Sequence, residues 1–233
     1  MKQWILILLL GMVSLPACKN EAGAGKPDTA QKNEEPSENT EIPENEVAAG
    51  MTEDYLNMGR LVWQKPEVVM RLMGDVSNKT VADIGAGRGF FALRLAPMAK
   101  KVIALDIYPE FTNYLDSIKV YELPENIQSR LETRLSEPDL PKLGPNEADV
   151  VLIVNTYMYL ADRVDYLRKL KPCIAKGGKL VIVDFKKKRT PRGPPNKYRV
   201  PLFQAEEELY QAGYTNIITD DTSLDYQYII TAE

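Results

Sequence analysis

The sequence has 233 residues, 44% hydrophobic and 27% charged, which suits one globular domain with appended sequence and leaves little room for two full cores. Its 29 Lys and Arg against 33 Asp and Glu give a formal charge of −4, so no global positive excess is available to neutralise phosphates, which argues against a dedicated nucleic-acid binder. Histidine is absent, which removes Ser-His-Asp and Cys-His nucleophiles, HExxH zinc sites and any histidine base, and Cys18 and Cys173 are too few for a disulfide framework or a cysteine zinc site.

The chain opens with one Lys, an apolar run from Trp4 to Val13 and then small residues. That is the layout of a secretory signal peptide, too short for a membrane-spanning helix. Leu15-Pro16-Ala17-Cys18 resembles the bacterial lipobox. The resemblance implies a lipoprotein-type signal peptide over residues 1–18, with Cys18 lipidated and holding the chain on a membrane of the bacterial cell envelope. An uncleaved anchor with an incidental cysteine is the plainer alternative. Residues 19–50 carry eight acids against Lys19, Lys26 and Lys32 and almost no large apolar side chain, so they are expected to form a disordered acidic tether. Residues 51–233 are then formally neutral. Met51 offers an alternative start that would give a cytoplasmic form.

From residue 51 the segments alternate between strand and helix patterns, as in a parallel sheet with crossover helices. Strands are expected at Thr80–Ile84, Lys101–Leu105, Ile127–Leu135, Ala148–Val154 and Lys179–Phe185. Helices are expected at Phe90–Met98, Pro109–Ile118, Val164–Ala175 (closed by Gly177-Gly178) and Leu202–Ala212, with Cys173 as a core thiol. Ile217–Thr219 and Tyr226–Thr231 suit a terminal antiparallel pair. The class is a Rossmann-like α/β fold, doubly wound, and ligands in such sheets lie beyond the carboxyl ends of the strands.

Asp83-Ile84-Gly85-Ala86-Gly87-Arg88-Gly89-Phe90 joins a strand to a helix through a glycine-rich turn that lets backbone approach a ligand. Phe90 stands where a dinucleotide fingerprint places its third glycine, and Asp83 precedes the first glycine by two residues. A carboxylate there suits a cationic aminoacyl group beside a sulfonium better than a pyrophosphate. Asp106 ends the next strand, where an acid accepts hydrogen bonds from ribose hydroxyls or caps the following helix. Together with Trp63-Gln64-Lys65-Pro66, ADVVLIVNTYMYL and KPCIAKGGKLVIVDF, these segments resemble the class I S-adenosylmethionine-dependent methyltransferases across residues 51–233.

The resemblance implies S-adenosylmethionine as cofactor, with Gly85, Gly87 and Gly89 against its methionine part, Asp106 and Ile107 at the ribose, and Ser136 and Glu137 near the adenine. The Asp-Ala-like pair that many relatives carry at the adenine position is missing here. Asn155 and Tyr157 follow the strongest strand, where relatives approach the transferable methyl. Asn155 is a candidate to orient an acceptor and touch the cofactor, and Tyr157 to line the methyl corridor; a cap with aromatics packing on the sheet is the alternative. Asp184 is the nearest carboxylate for a general base, or it bonds neighbouring amides.

Lys186-Lys187-Lys188-Arg189 and the prolines after it form a solvated basic loop or a contact for an anionic acceptor. Tyr55–Pro66 is either a lid or a packing helix. The leading expectation is a methyltransferase for a small or exposed acceptor, without metal or nucleic acid. A lipid-anchored binding module without turnover is the second hypothesis, and a nicotinamide oxidoreductase is disfavoured by Asp83 and Phe90.

Overall fold

A computed structural model describes residues 59–233. The signal peptide, Cys18, the acidic tether, Met51 and the part of the expected lid before Gly59 lie outside the described residues.

Seven strands form one sheet: β1 (Thr80–Ile84), β2 (Lys101–Asp106), β3 (Leu131–Leu135), β4 (Ala148–Val154), β5 (Ile174–Phe185), β6 (Ile218–Asp220) and β7 (Gln227–Ala232). Their spatial order is β3-β2-β1-β4-β5-β7-β6. The first five strands run parallel, while β7 is antiparallel to both β5 and β6, as the terminal pair in the sequence suggested. The chain starts at the centre, winds out to β3 and returns to β4. The order therefore reverses between β1 and β4, which opens a crevice at their carboxyl ends.

The central strands are aliphatic on both faces because helices cover both. Alternate residues serve opposite layers. Ala82, Ile84, Ile103, Val151 and Ile153 face a cluster with Tyr166, Leu167 and Leu170 of helix α6 (Arg163–Leu170) and Ala205 and Leu209 of α7 (Leu202–Gln211). Val81, Val102, Val150 and Leu152 face Val69, Ala92, Leu95 and Leu115, which come from α2 (Pro66–Leu72), α3 (Ala92–Leu95) and α4 (Pro109–Glu122). Each Val, Leu or Ile among them contributes about 1.5–3 kcal/mol on burial. The remaining helices are α1 (Arg60–Gln64) and α5 (Glu125–Gln128). None of the described helices is long and apolar enough to cross a membrane.

Several expected boundaries move: the helix expected at Phe90–Met98 is α-helical only over Ala92–Leu95, between turns. Residues 125–128 form α5 after Pro124, and the Gln128 amide donates to the Leu123 and Val120 carbonyls, so β3 begins only at Leu131. Gly177-Gly178 does not close a helix: α6 ends at Leu170, Pro172 directs a 3-10 turn over Lys171–Cys173, and β5 already begins at Ile174. The glycine pair lies inside β5, where its register on β4 shifts between Ala148 and Val150. A Cβ on Gly178 would stand 2.5 Å from the Asp149 carbonyl oxygen, so the irregularity needs glycine. Cys173 is a buried thiol that donates to the Leu143 carbonyl at 3.2 Å.

Candidate functional site

The loop after β1 turns through Gly85, Gly87 and Gly89 at φ +72°, +53° and +83°, the left-handed region in which a Cβ is strained. Close packing fixes it on both sides: a Cβ on Gly85 would lie 2.2 Å from Thr156 Oγ1, and one on Gly89 2.4 Å from Leu115 Cδ1. The Gly85 and Ala86 N–H groups donate to the Leu105 carbonyl, and the Gly87 N–H donates to Asp106 Oδ2 at 2.8 Å. Asp106 Oδ1 accepts the Tyr108 N–H at 3.0 Å, at the entry to α4. Burial raises the Asp106 carboxyl above its usual range, and the Tyr108, Gly87 and Ile107 N–H groups oppose that rise.

Ser136 follows β3 and joins this group, its N–H donating to the Asp106 carbonyl and its hydroxyl to the Leu140 carbonyl. Ile107 is exposed beside Asp106. Glu137 turns outward, its carboxylate 2.5 Å from Lys142 Nζ. Thus Asp106, Ile107 and Ser136 come together at the ends of β2 and β3, while the Glu137 side chain is engaged elsewhere.

Asp83 is buried, and loss of solvent pushes its carboxyl up to about 7; Asp106 adds to the rise, and Arg60 and the Ala92 N–H oppose it. Arg60 is itself buried, with its guanidinium carbon 4.1 Å from the Phe90 ring centroid. The described part of the expected lid packs inward: Trp63 lies 5.6 Å from Phe185 and 6.4 Å from Tyr226 between ring centroids. Lys65, in a left-handed conformation, joins α1 to α2 and donates to the Ser223 carbonyl.

Beyond β4, Asn155 also adopts a left-handed backbone, φ 58°, and is half-buried. Its amide meets those of Gln64 and Gln227. Gln64 Nε2 donates to Gln227 Oε1 at 2.5 Å, Gln227 Nε2 donates to Asn155 Oδ1, and Asn155 Nδ2 donates to Gln64 Oε1 at 3.3 Å. Three carboxamides so close a ring, and Arg60 Nε adds a bond to Gln64 Oε1 at 3.1 Å. Residues 60 and 64 are one helical turn apart, but no spacing rule in the sequence links that pair to residues 155 and 227.

Two candidates for chemistry are corrected. Tyr157 is fully buried and gives its hydroxyl to Glu208 Oε2 at 2.5 Å, while Arg163 holds both Glu208 oxygens at 2.8 Å. Burial and the Glu208 charge push the phenol well above its ordinary range, so Tyr157 anchors the sheet to α7 and lines no open corridor. Asp184 is 1% exposed and accepts the Met158 N–H at 3.0 Å and the Phe185 N–H at 2.6 Å. Oδ2 thus pins the 3-10 turn Tyr157–Tyr159 to β5, Oδ1 is held by the next N–H of its own strand, and burial closes the carboxylate off from an acceptor.

The basic loop has an organiser that was not evident from composition. Arg199, buried, donates to the carbonyls of Pro194, Lys186, Lys188 and Arg192 and to Thr190 Oγ1, over the Phe185 ring at 5.2 Å. Lys187, Lys188 and Arg189 remain exposed around it.

The loop and acids fit S-adenosylmethionine. The glycine loop at the β1–β4 switch is free of Cβ atoms at three left-handed positions, and two buried carboxylates, Asp83 and Asp106, lie at the carboxyl ends of β1 and β2, a donor set suited to an ammonium and to hydroxyl groups.

A family described as a methyltransferase domain matches residues 82–182. Among solved structures, an S-adenosylmethionine-dependent methyltransferase from Aquifex aeolicus is 25% identical with a TM-score of 0.68, over 79% of this chain and 96% of that one. One from Mesorhizobium loti shares the fold at 14% identity and a TM-score of 0.60, over 71% of this chain and 95% of that one. Ribosomal RNA small subunit methyltransferase A of Koribacter versatilis is 33% identical over 104 residues, 45% of this chain, and the chain spans only 30% of that curated relative. The match over residues 82–182 and the likeness to S-adenosylmethionine-dependent methyltransferases over most of the described chain support a class I S-adenosylmethionine-dependent methyltransferase.

Proposed function

We propose that this protein transfers the methyl group of S-adenosylmethionine to a small or exposed acceptor at the carboxyl ends of β1 and β4. The observation that carries the reading is the hydrogen-bonded unit of Gly87 and Asp106 beside the buried Asp83. Bound there, S-adenosylmethionine supplies a methyl carbon already activated by its sulfonium. The chain's share is to hold and desolvate. Asp83 faces the ammonium, Asp106 accepts from the ribose hydroxyls, and the glycine backbone sets the depth of the methionine part. Trp63 and Phe185 close the floor against water, and Asn155 offers its amide to the acceptor.

With Tyr157 and Asp184 both engaged in the framework, neither serves as a base. This favours an acceptor that arrives as its own nucleophile, such as a neutral amine or a thiolate. Ribosomal RNA is the acceptor named for the Koribacter relative, but residues 51–233 of this chain are formally neutral and lack the positive excess an RNA backbone calls for. The Leu15–Cys18 motif further supports a lipid-anchored envelope form, which the mass of the N-terminal peptide from cells tests directly.

Calorimetry of the full chain with S-adenosylmethionine, S-adenosylhomocysteine and NAD tests the cofactor. Binding of the first two and not the third is expected, and no binding of either would overturn the reading. Transfer of labelled methyl to an envelope extract tests turnover.

A further inference from the structure

The ring of Gln64, Gln227 and Asn155 has a sense of direction, and the chemistry of its neighbours sets it. A carboxamide offers two lone pairs on oxygen and two N–H donors on nitrogen. The guanidinium of Arg60 can only donate, so the Gln64 atom that receives it must be oxygen. The Gln64 nitrogen then has to face the Gln227 oxygen, the Gln227 nitrogen has to face Asn155 Oδ1, and Asn155 Nδ2 returns to the Gln64 oxygen. Turning any one amide over would set like groups against each other.

Gln64 and Gln227 are fully buried, and Asn155 is the only half-buried member. Among the described residues, the ring uses one lone pair of Asn155 Oδ1 and one N–H of Nδ2, so Asn155 keeps one of each. Thr156, next in the chain, packs against Gly85, which places Asn155 beside the glycine loop at the β1–β4 switch.

We propose that Arg60, Gln64 and Gln227 are positioning residues that fix which atom of the Asn155 carboxamide meets the reacting centre, and so select the group the methyl acceptor presents. The proposal rests on the methyltransferase reading above. Asn155 Oδ1, held by Gln227, accepts a hydrogen bond from an amine brought up to the methyl. Arg60 donates to this ring and its charge also acts on Asp83, so one cation influences both the cofactor side and the acceptor side.

Two cofactor analogues probe the device without an identified acceptor. S-adenosylhomocysteine carries nothing in the methyl position, whereas sinefungin carries an amine on the carbon that replaces the sulfonium. Their affinity ratio therefore reads what faces the methyl. Calorimetry is run on the full chain for the wild type, Asn155→Ala, Gln64→Ala and Gln227→Glu. S-adenosylhomocysteine affinity should be retained in all four.

The preference for sinefungin should fall about tenfold in Asn155→Ala and Gln64→Ala, the size of one lost hydrogen bond to a charged donor. Gln227→Glu is the decisive variant. Protonated, the introduced carboxyl can accept from Gln64 and donate to Asn155 Oδ1 as the amide did; ionised, it cannot donate. Its sinefungin preference should match wild type at low pH and be lost as pH rises. Asp83 titrates near neutrality beside Arg60, and the ligand amine also titrates, so the wild-type profile is the baseline.

A Gln227→Glu ratio that follows wild type at every pH, with Gln64→Ala also unchanged, would overturn the positioning role even if Asn155→Ala lost the preference. Failure of wild type to bind S-adenosylhomocysteine would overturn the cofactor reading instead. Should Gln64→Ala not fold, Gln227→Glu at low pH keeps the framework intact and still decides.

Discussion

The Gly87 N–H donates to Asp106 Oδ2 at 2.8 Å, so the glycine loop and the acid that ends β2 act as one unit although 19 residues separate them. Asp106→Ala removes the acceptor for both the Gly87 and Tyr108 N–H groups and the charged acceptor for the ribose. At about 1.5–3 kcal/mol per hydrogen bond to a charged group, S-adenosylmethionine affinity should fall at least about tenfold. Calorimetry on the folded variant checks this, and unchanged affinity would leave Asp106 as the lead-in to α4 and nothing more.

Gly87→Val tests the loop by shape. At φ +53° a β-branched residue is strained, by about 1–3 kcal/mol, and its side chain enters the space where the cofactor is expected. Binding should be abolished while the apo protein melts only slightly lower, since the loop adds little to either core layer. Thermal melts with and without S-adenosylmethionine give the answer: a wild-type cofactor-induced shift in the variant would remove the loop from the binding site.

Asp83 should make both stability and binding depend on pH. Its folded carboxyl keeps a proton up to about 7, against an ordinary value of 3.8, so the folded state binds more protons between those values. Apo stability therefore falls as pH rises from about 4 through about 7. A cationic ammonium favours the ionised carboxyl, so cofactor affinity should climb over the same window and level off above it. Asp106, also raised by burial, bends both curves in the same sense. Subtracting the Asp83→Asn profiles isolates Asp83, and identical profiles for variant and wild type would contradict its assignment.

β1, β2 and β4 are legible because each is a short aliphatic run closed by turn residues, and the Asp83–Gly89 turn is legible because its chemistry is local in the sequence. What stayed hidden depends on distant partners. The roles of Tyr157 and Asp184 turn on Glu208 and on the Met158 N–H, which no periodicity connects to them. The strand ending in Asp184 reads the same whether its carboxylate faces a substrate or a turn. Gly177-Gly178 has the form of a helix stop, and only the β4 register shows that it sits in a strand. The amide ring draws on α1, β4 and β7, three segments far apart in the chain.

Glu208 should govern stability without touching cofactor binding. Its carboxylate receives Tyr157, Gln204 and both ends of the Arg163 fork, and these bonds and the Arg163 charge hold its pKa below the ordinary carboxylate range although burial pushes it up. Glu208→Ala strands a buried hydroxyl and a half-buried guanidinium and should cost about 2–4 kcal/mol. Tyr157→Phe removes a single bond and should cost about 1 kcal/mol. Denaturant melts measure both. S-adenosylmethionine affinity should stay at the wild-type value in each, and a selective loss of binding in Tyr157→Phe would restore that phenol to the methyl corridor.

Arg199 gives the basic loop its shape, and its removal should release the loop rather than the sheet. Five hydrogen bonds of its guanidinium end on residues 186–194, while Gly193 lies against Phe185, where a Cβ would come within 2.4 Å of the ring. Arg199→Ala leaves four carbonyls without their donor, at a cost of about 2–3 kcal/mol softened by water entering the loop. Lys187, Lys188 and Arg189 are already exposed, so trypsin should cut there much faster in the variant, with the core strands still protected. Arg199→Lys should restore little of the resistance, because one ammonium has three donors and no planar fork. Equal trypsin rates for wild type and Arg199→Ala, measured on folded protein, would show that Phe185 and the prolines hold the loop without the guanidinium.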